Sequence, residues 1–306
     1  MDEQLQSFRQ ALIIPAALGA TLYVPATRSD LIAIATGAKY PNLRSVVFCM
    51  EDAVRPQDVP LALLNLKQLF AYLRAEGMAR KAGPTLFVRP RDDDMLSQIM
   101  QLPGAALIDG IVIPKATADS VPSYVAVMPF DHHYIMPTIE TRDAFDLWQM
   151  RRLREQLIVL QHRVLAVRIG GNDLLKLLGA RRSAKRTAYE GPLGPIIASL
   201  ATTFLPWGFA MSAPVFEHLH NTALLKEEVE RDLEHGLLSK TAIHPLQVDI
   251  IHDAYRVLET ESNAAHALGA ENAPAVFAMN DAMCEPSTHE PWAESILKRA
   301  SLFGIV

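Results

Sequence analysis

The sequence predicts a single-domain α/β protein, a (β/α)8 TIM barrel with a C-terminal helical extension. The chain has 306 residues, which is enough for one large barrel. Short apolar runs rich in β-branched and aromatic residues recur along it, as buried parallel strands do. Segments of helical length separate these runs, and about 30 residues per strand–helix unit is the spacing of a TIM barrel.

Eight strands are predicted, each bounded by Gly, Pro or a charged residue. They lie at 21–25, 45–50, 85–89, 110–114, 134–140, 164–170, 207–213 and 239–245. An open, doubly wound sheet is the structural alternative. Such a sheet usually has fewer strands and a Gly-rich phosphate turn after its first strand. No such turn follows the first predicted strand here, so the closed barrel is favoured.

Helices are predicted where apolar residues recur at helical spacing between the strands. The clearest candidates lie at 59–77, 142–161, 217–236 and 245–262. Gly77 and Gly236 are typical of helix ends, and Pro245 suits a first helical position. The alternation stops after 262, which predicts a barrel over 1–262 and an extension over 263–306. We expect the extension to act as a lid or an oligomer contact.

Composition narrows the class of partner. The net charge is −5 and the pI is about 6.1, which argues against binding to nucleic acid or to an anionic membrane surface. The two cysteines form no CxxC pair, as expected in a reducing compartment. No apolar stretch approaches the roughly 20 residues of a membrane span, and the N-terminus has no cationic leader. We expect a cytoplasmic protein that acts on small molecules.

Charged residues gather at one end of the predicted strands, where TIM-barrel enzymes carry their active sites. A charge directly after a buried strand costs desolvation unless it is paired or solvated. A divalent cation together with an anionic ligand would account for all of these charges at once. They are Glu51, Asp52, Arg89, Lys115, Glu140 and Asp173.

Glu140 and Asp173 are the candidate metal ligands. They are 33 positions apart, one barrel unit, and should therefore stand on neighbouring strands. Two carboxylates so placed can ligate Mg²⁺, or Mn²⁺, and leave positions for water and substrate oxygens. The alternative is that each carboxylate caps the following helix or pairs with a Lys or Arg.

Arg89 is the candidate for binding a carboxylate or an enolate, because its guanidinium can make a forked pair of hydrogen bonds. It could equally form a structural ion pair with Glu51 or Asp52, and both roles are compatible.

Further anion-binding candidates lie at the ends of the first, fourth and sixth strands. Gly170 and Gly171 would allow a close approach of the backbone, with N–H groups opening the next helix. Lys115 would add positive charge. Arg28 is either an anion ligand or an ordinary surface arginine.

Seven motifs follow one another along most of the chain. They are YVPATR (23–28), MEDAV (50–54), VRPR (88–91), GIVIPK (110–115), PTIET (137–141), IGGNDL (169–174) and KTAIHPLQV (240–248). In this order they resemble the HpcH/HpaI aldolase and citrate lyase superfamily, most closely its citrate lyase β-subunit-like branch. The unusual C-terminal segment is similar to a divergent branch of C–C bond lyases linked to tellurium-resistance gene clusters.

The resemblance implies a TIM barrel with Mg²⁺ held by Glu140 and Asp173. It implies that Arg89 binds substrate and stabilises an enolate, while Glu51 and Asp52 hold metal-bound water and position Arg89. Members of the superfamily make or break bonds in 3-hydroxyacyl thioesters or 2-oxo acid aldols, and they assemble as trimers or hexamers. A homotrimer or hexamer is therefore expected here.

The sequence departs from the superfamily pattern at three places. Relatives that act on CoA esters carry Glu at the position of Asn172 and an Ile-Asp near the end of strand seven, where this chain has 211–214. Their C-terminal lid carries an Asp, for which Glu285 is the nearest equivalent. The substrate is therefore left open between a small carboxylate and an acyl thioester.

The expected function is Mg²⁺-dependent carbon–carbon cleavage of a hydroxy or oxo acid, or of its thioester, through an enolate. The base could be Glu51, Asp52, Glu285 or a metal-bound water. One alternative is a barrel phosphotransferase that works through an enolate, although Arg28 and Lys115 are few cations for a phosphate. The other is a ligand-binding subunit without catalysis, which would not need an enolate-stabilising set.

Overall fold

A closed barrel of eight parallel strands forms the body of the protein. The computed structural model describes residues 13–76 and 83–306. Each strand pairs in parallel with the next, and the eighth closes the barrel against the first. The strands are β1 (Ala20–Pro25), β2 (Ser45–Cys49), β3 (Thr85–Arg89), β4 (Gly110–Ile113), β5 (Tyr134–Ile139), β6 (Val167–Ile169), β7 (Met211–Ala213) and β8 (Ser239–Ala242). The TIM-barrel prediction is confirmed, and all eight predicted strands are present.

The helices surround this barrel. They are α1 (Leu31–Ala35), α2 (Val59–Glu76), α3 (Asp93–Met100), α4 (Val121–Ala126), α5 (Leu147–Val159), α6 (Gly171–Leu177), α7 (Leu193–Phe204), α8 (Thr222–Glu234), α9 (Leu246–Ala254), α10 (Glu259–Leu268) and α11 (Pro286–Phe303). The predicted end of α2 at Gly77 lies outside the described residues.

Several predicted elements have different bounds in the structure: β6 begins at Val167 rather than 164, α5 at Leu147 rather than 142 and α8 at Thr222 rather than 217. Two further differences have a clear local cause. The single helix predicted over 245–262 is wrong, because the chain leaves helical geometry after α9 and begins α10 only at Glu259. The seventh strand begins at Met211 rather than 207. A short 3-10 turn at Leu205–Trp207 is followed by Gly208 with a φ of 81°, a left-handed conformation that ends the turn before the strand starts.

Alternation along the strands divides the core into two layers. Inside the barrel, Val47, Phe87, Val112 and Met136 pack together in one cluster. The alternate residues, such as Leu22 and Val46, face the helices in a larger cluster. Strands buried on both faces are expected to be almost wholly apolar, so polar residues inside the barrel stand out.

The C-terminal extension pairs α10 with α11, which encloses a small core of its own around Ala265 and Ile296. A two-strand antiparallel hairpin, β9 (Phe277–Met279) and β10 (Ala282–Cys284), precedes α11. The end of α11 contacts Arg44, whose guanidinium lies 4.6 Å from the Phe303 ring. Arg44 directly precedes β2, so this contact lies at the face with the amino ends of the strands. The boundary proposed at 262/263 falls inside α10, and the division stays a proposal.

None of the helices in the described ranges is long and apolar enough to cross a membrane.

Candidate active site

Five of the predicted charged residues meet at the carboxyl ends of β2 to β5. Arg89, the last residue of β3, places Nη2 2.8 Å from Glu51 Oε2 and 2.6 Å from Glu140 Oε1. Lys115 Nζ forms an ion pair with Glu51 and lies 3.8 Å from Asp52 Oδ1. The strand ends therefore bring two cations and three carboxylates into one network, as the sequence predicted.

Glu140 is the most buried member of this network, with 1% of its side chain exposed. Its Oε1 accepts hydrogen bonds from Arg89 Nη2 and from the Lys115 backbone N–H, at 2.6 and 2.8 Å. Oε2 accepts none from the part of the chain that the structure describes. Burial raises the pKa of Glu140 to about 7, against the opposing charge of Arg89, and the charge of Asp173 adds to the rise.

Lys115 reaches Glu140 through an unusual backbone conformation. Its φ is 48°, in the left-handed region that non-glycine residues seldom adopt. Such conformations cost free energy and gather at functional sites. Here the conformation accompanies the Lys115 N–H donation to Glu140, while the side chain turns to Glu51.

Glu51 and Asp52 are adjacent but occupy different environments. Glu51 is buried, and despite that burial the hydrogen bond with Asp52 and the charges of Arg89 and Lys115 hold its pKa below the usual value. Asp52 has 62% of its side chain exposed. Partial burial and the neighbouring Glu51 carboxyl raise the pKa of Asp52 to about 6. Asp52 can therefore exchange a proton near neutral pH, whereas Glu51 is held as a charged ion-pair partner.

The two glycines after β6 are packed against protein groups. A β-carbon at Gly170 would overlap the Glu140 side chain, and one at Gly171 would lie 2.9 Å from Pro214. Gly171 begins α6, and Asp173 lies half-buried in the first turn of that helix. The glycine pair thus lets the start of α6 approach Glu140, which brings Asp173 into its electrostatic range.

Two predicted site residues lie apart from this network. Arg28 is exposed after β1 and makes a forked ion pair with Asp30, at 2.8 and 2.6 Å. Glu285 caps the start of α11, where its carboxylate accepts hydrogen bonds from Ser287 and Thr288. Within the described residues of one chain, neither contacts Arg89, so their roles stay proposals.

Two polar residues beneath the site were missed by sequence reasoning. Arg168 is 1% exposed inside the barrel and bonds the Thr241 hydroxyl at 2.7 Å, with its guanidinium 5.3 Å from the Tyr23 ring. Burial raises the pKa of Tyr23 despite the charges of Arg168 and Arg89. A charge in the middle of a predicted buried strand, VLAVRIG, was the available signal. Arg168 and Tyr23 thus form a polar contact inside the barrel, and the charge of Arg89 acts on Tyr23 as well.

The donor set fits a hard divalent cation. Within the described residues Glu140 Oε2 accepts no hydrogen bond, and burial together with the charge of Asp173 raises the pKa of Glu140, so a bound cation would stabilise its charged form. In the ranges 13–76 and 83–306, no cluster of three or more His, Cys, Asp or Glu side chains could hold a metal. A cation held by these two carboxylates would leave the remaining octahedral positions for water and ligand oxygens.

Solved structures with the same fold cover almost the whole chain. Protein CitE from Mycobacterium tuberculosis, crystallised with magnesium, acetoacetate and coenzyme A, is 20% identical, covering 94% of this chain and 100% of that one, with a TM-score of 0.71. A citrate lyase from Burkholderia xenovorans LB400 is 17% identical, covering 96% of each chain, with a TM-score of 0.74. At these identities the likeness shows the fold.

A curated relative is also recognisable by sequence. A (3S)-malyl-CoA thioesterase from Cereibacter sphaeroides is 23% identical over 260 residues, which are 80% of this chain and 79% of the relative. The family described as C–C bond lyase of the TIM-barrel fold matches residues 12–305. This match covers nearly the whole chain and confirms the predicted superfamily, so the phosphotransferase and non-catalytic alternatives are set aside. The chain belongs to the TIM-barrel family of C–C bond lyases and is a carbon–carbon lyase.

Proposed function

We propose that this lyase cleaves or forms a carbon–carbon bond beside a carbonyl, through an enolate, with Mg²⁺ or Mn²⁺ held by Glu140 and Asp173. The substrate is a hydroxy or oxo acid, or its acyl thioester. The observation that carries the proposal is the environment of Glu140. One of its oxygens is held by Arg89 and Lys115, the other accepts no hydrogen bond within the described residues, and the charge of Asp173 raises the pKa of Glu140.

The chemistry follows from the charges around this carboxylate. When bound, Mg²⁺ supplies a Lewis acid that stabilises negative charge on a substrate oxygen. Arg89 is fixed between Glu51 and Glu140, so its remaining donors are oriented before substrate arrives. A preorganised cation stabilises developing charge without reorganising during the reaction. Arg89 is therefore the residue that binds the substrate carboxylate or carbonyl and stabilises the enolate.

Asp52 is the base in this proposal. Its pKa of about 6 and its exposed side chain suit proton exchange near neutral pH. Asp52 takes the proton of the β-hydroxyl, the bond between the hydroxyl-bearing carbon and the α-carbon breaks, and its electron pair forms the enolate. Lys115, 3.8 Å from Asp52, stabilises the charged form of the base. Glu285 has no part in this proposal, because in the described residues its carboxylate contacts Ser287 and Thr288 at the start of α11 and not Arg89.

Two relatives favour an acyl thioester as substrate. CitE was crystallised with coenzyme A, and the curated relative is named for malyl-CoA. The second name also raises thioester hydrolysis as a candidate function. The two reactions differ in products: cleavage of malyl-CoA gives acetyl-CoA and glyoxylate, whereas hydrolysis gives malate and free coenzyme A. The expected products are acetyl-CoA and glyoxylate.

Calorimetry tests the metal site directly. Mg²⁺ followed by oxalate, an enolate mimic, should bind the wild-type protein and fail to bind Glu140→Gln and Asp173→Asn. Glu155→Gln, an exposed carboxylate on α5, is the matched control and should bind normally. Unchanged Mg²⁺ binding in both site variants would remove the metal from the proposal.

Product analysis tests the reaction. The protein should be incubated with Mg²⁺ and malyl-CoA, and separately with a 4-hydroxy-2-oxo acid, while glyoxylate, pyruvate and free thiol are measured. Release of a keto acid that is lost in Glu140→Gln supports lyase chemistry. Free thiol without glyoxylate would favour the thioesterase.

A further inference from the structure

A cationic cleft lies between α6 and α7, outside the network of Arg89 and Glu140. The connecting loop carries four basic residues within the run ARRSAKR (180–186). Together with Leu175 and the start of α7, this loop encloses a cleft of about 380 Å³. Leu193 lines the cleft and lies 3.4 Å from the position of a β-carbon at Gly171. Leu193 therefore links the cleft to the start of α6, the helix that carries Asp173.

The charge of the cleft is unbalanced. Arg181 and Arg186 line it and are exposed, and neither forms an ion pair in the described parts of the chain. The one acid in the lining, Glu190, is engaged as a cap, since its Oε2 accepts from Thr187 N at 2.9 Å and from Thr187 Oγ1 at 3.1 Å. The protein as a whole is acidic, so this positive region is a local feature.

Buried contacts of Arg182 and Ala188 anchor the loop to the neighbouring elements. Arg182 pairs with the buried Glu228 and donates through Nη1 to Val215 O at 2.8 Å. Glu228 also accepts from Ala188 N at 2.8 Å. Arginines on a fixed loop lose less conformational freedom when they bind a ligand.

We propose that this cleft binds the phosphate group of a small-molecule ligand. Guanidinium groups form forked, charge-assisted hydrogen bonds with phosphate oxygens, and the lining offers the exposed Arg181 and Arg186 for them. The Ser183 hydroxyl lies in the same wall. The phosphate could belong to a free phosphorylated metabolite or to the phosphorylated carrier of an acyl substrate, since the recognition chemistry is the same.

Pyrophosphate binding tests the site. The wild-type chain should bind pyrophosphate in calorimetry at low salt, and Arg181→Gln with Arg186→Gln should weaken this binding at least roughly tenfold, because two groups that form charge-assisted hydrogen bonds are lost. A matched double variant, Lys67→Gln with Arg151→Gln, removes the same charge from exposed positions on α2 and α5 and should bind as the wild type does. Arg182 is left intact, because its removal would leave Glu228 buried without its partner.

Competition identifies the source of the phosphate. If coenzyme A displaces pyrophosphate from the wild-type protein, the ligand is a phosphorylated carrier. If it does not, while the loop variant still loses pyrophosphate, the ligand is a separate phosphorylated compound. Equal pyrophosphate affinity in the loop variant and its control, or no binding to the wild type at millimolar concentration, would overturn the proposal. Mg²⁺ and oxalate binding should be normal in the loop variant, which separates this test from that of the metal site.

Discussion

Gly170 lies directly against the side chain of Glu140, so closely that a β-carbon at position 170 would overlap both Cβ and Oε2 of the glutamate. The backbone conformation of Gly170 does not itself require glycine, because its φ of −87° can be adopted by any residue. The glycine is therefore required by the neighbouring carboxylate and not by the backbone. The position of α6, and with it Asp173, depends on this contact.

Replacing Gly170 with Ala should abolish Mg²⁺ and oxalate binding, because the added methyl must displace Glu140 or α6. Gly269→Ala is the control, since a β-carbon there meets nothing closer than 3.6 Å and the φ of −84° suits alanine. Calorimetry on both variants checks the expectation. Wild-type affinity in Gly170→Ala would show that the two carboxylates do not depend on this packing.

The barrel could be predicted because parallel strands buried on both faces leave a strong apolar signal. Short helices leave a weaker sequence signal. Helix α1 has five residues and α4 has six, which are too few for a helical period to be recognised. The hairpin in the extension was also missed. Asn280 and Asp281 both have positive φ, as in a two-residue turn between short strands, so the pair of turn residues was a usable signal.

The site could be predicted in part because strand ends meet at one rim of a barrel. Sequence reasoning paired Arg89 with Glu51 or Asp52, and the structure adds Glu140 as a third partner. This contact spans from β3 to β5 across the intervening β4 and depends on the length of the two side chains, which spacing along the chain does not encode. The left-handed Lys115 was likewise not predictable, since nothing in its residue type favours that conformation.

A buried charge network holds α8 against the barrel. Lys240 Nζ lies 2.9 Å from Glu228 Oε1 and 2.8 Å from Asp232 Oδ2, and all three side chains are fully buried. Lys240→Met should lower the free energy of unfolding by about 3–5 kcal/mol, because the buried Asp232 loses its counter-charge, while Glu228 retains Arg182. Adding Asp232→Leu should restore part of the loss. Denaturant unfolding should show a change below about 1 kcal/mol for the control Arg231→Gln, whose ion pair is exposed.

His252 should make stability depend on pH. Burial and the charge of Arg44 lower its pKa to about 4, and its Nε2 accepts a hydrogen bond from Ala20 N at 3.1 Å. Because the folded-state pKa is depressed below the unfolded value of about 6.5, the stabilisation is fully present above pH 6.5 and is lost as pH falls towards 4. Between these limits the wild type should lose about 1–3 kcal/mol relative to His252→Gln. Parallel stability profiles of the two proteins would contradict this.

The extension should form a subunit contact. Val276, Met283 and Trp292 are large apolar side chains exposed at 57%, 61% and 42% on the part of the extension that follows α10. Replacing Met283 and Trp292 with Ser should lower both the oligomer mass in light scattering and the activity, since exposed anchors of this kind pack at interfaces. Leu64→Ser, at a comparably exposed position on α2, is the control. A monomeric wild-type protein would exclude this role.

Arg89 offers the sharpest test of mechanism, because its structural and catalytic roles predict different outcomes. Its Nη2 contacts both Glu51 and Glu140, so Arg89→Lys preserves the charge but loses the planar fork. If Arg89 stabilises an enolate that exists only during reaction, the chemical step should suffer far more than ground-state binding. The expected cost is on the order of 3 kcal/mol, or roughly a hundredfold in turnover.

If Arg89 only holds its two carboxylates, the same variant should melt at a lower temperature and lose activity in proportion to its unfolded fraction. Arg91→Lys is the control for a purely structural role, because Arg91 donates to the backbone carbonyls of Glu51 and Val54 next to the site. Melting, oxalate affinity in the presence of Mg²⁺, and turnover should be measured on both variants. A folded Arg89→Lys enzyme with near-normal turnover would make Arg89 part of the scaffold, and the enolate charge would then have to be stabilised without its guanidinium.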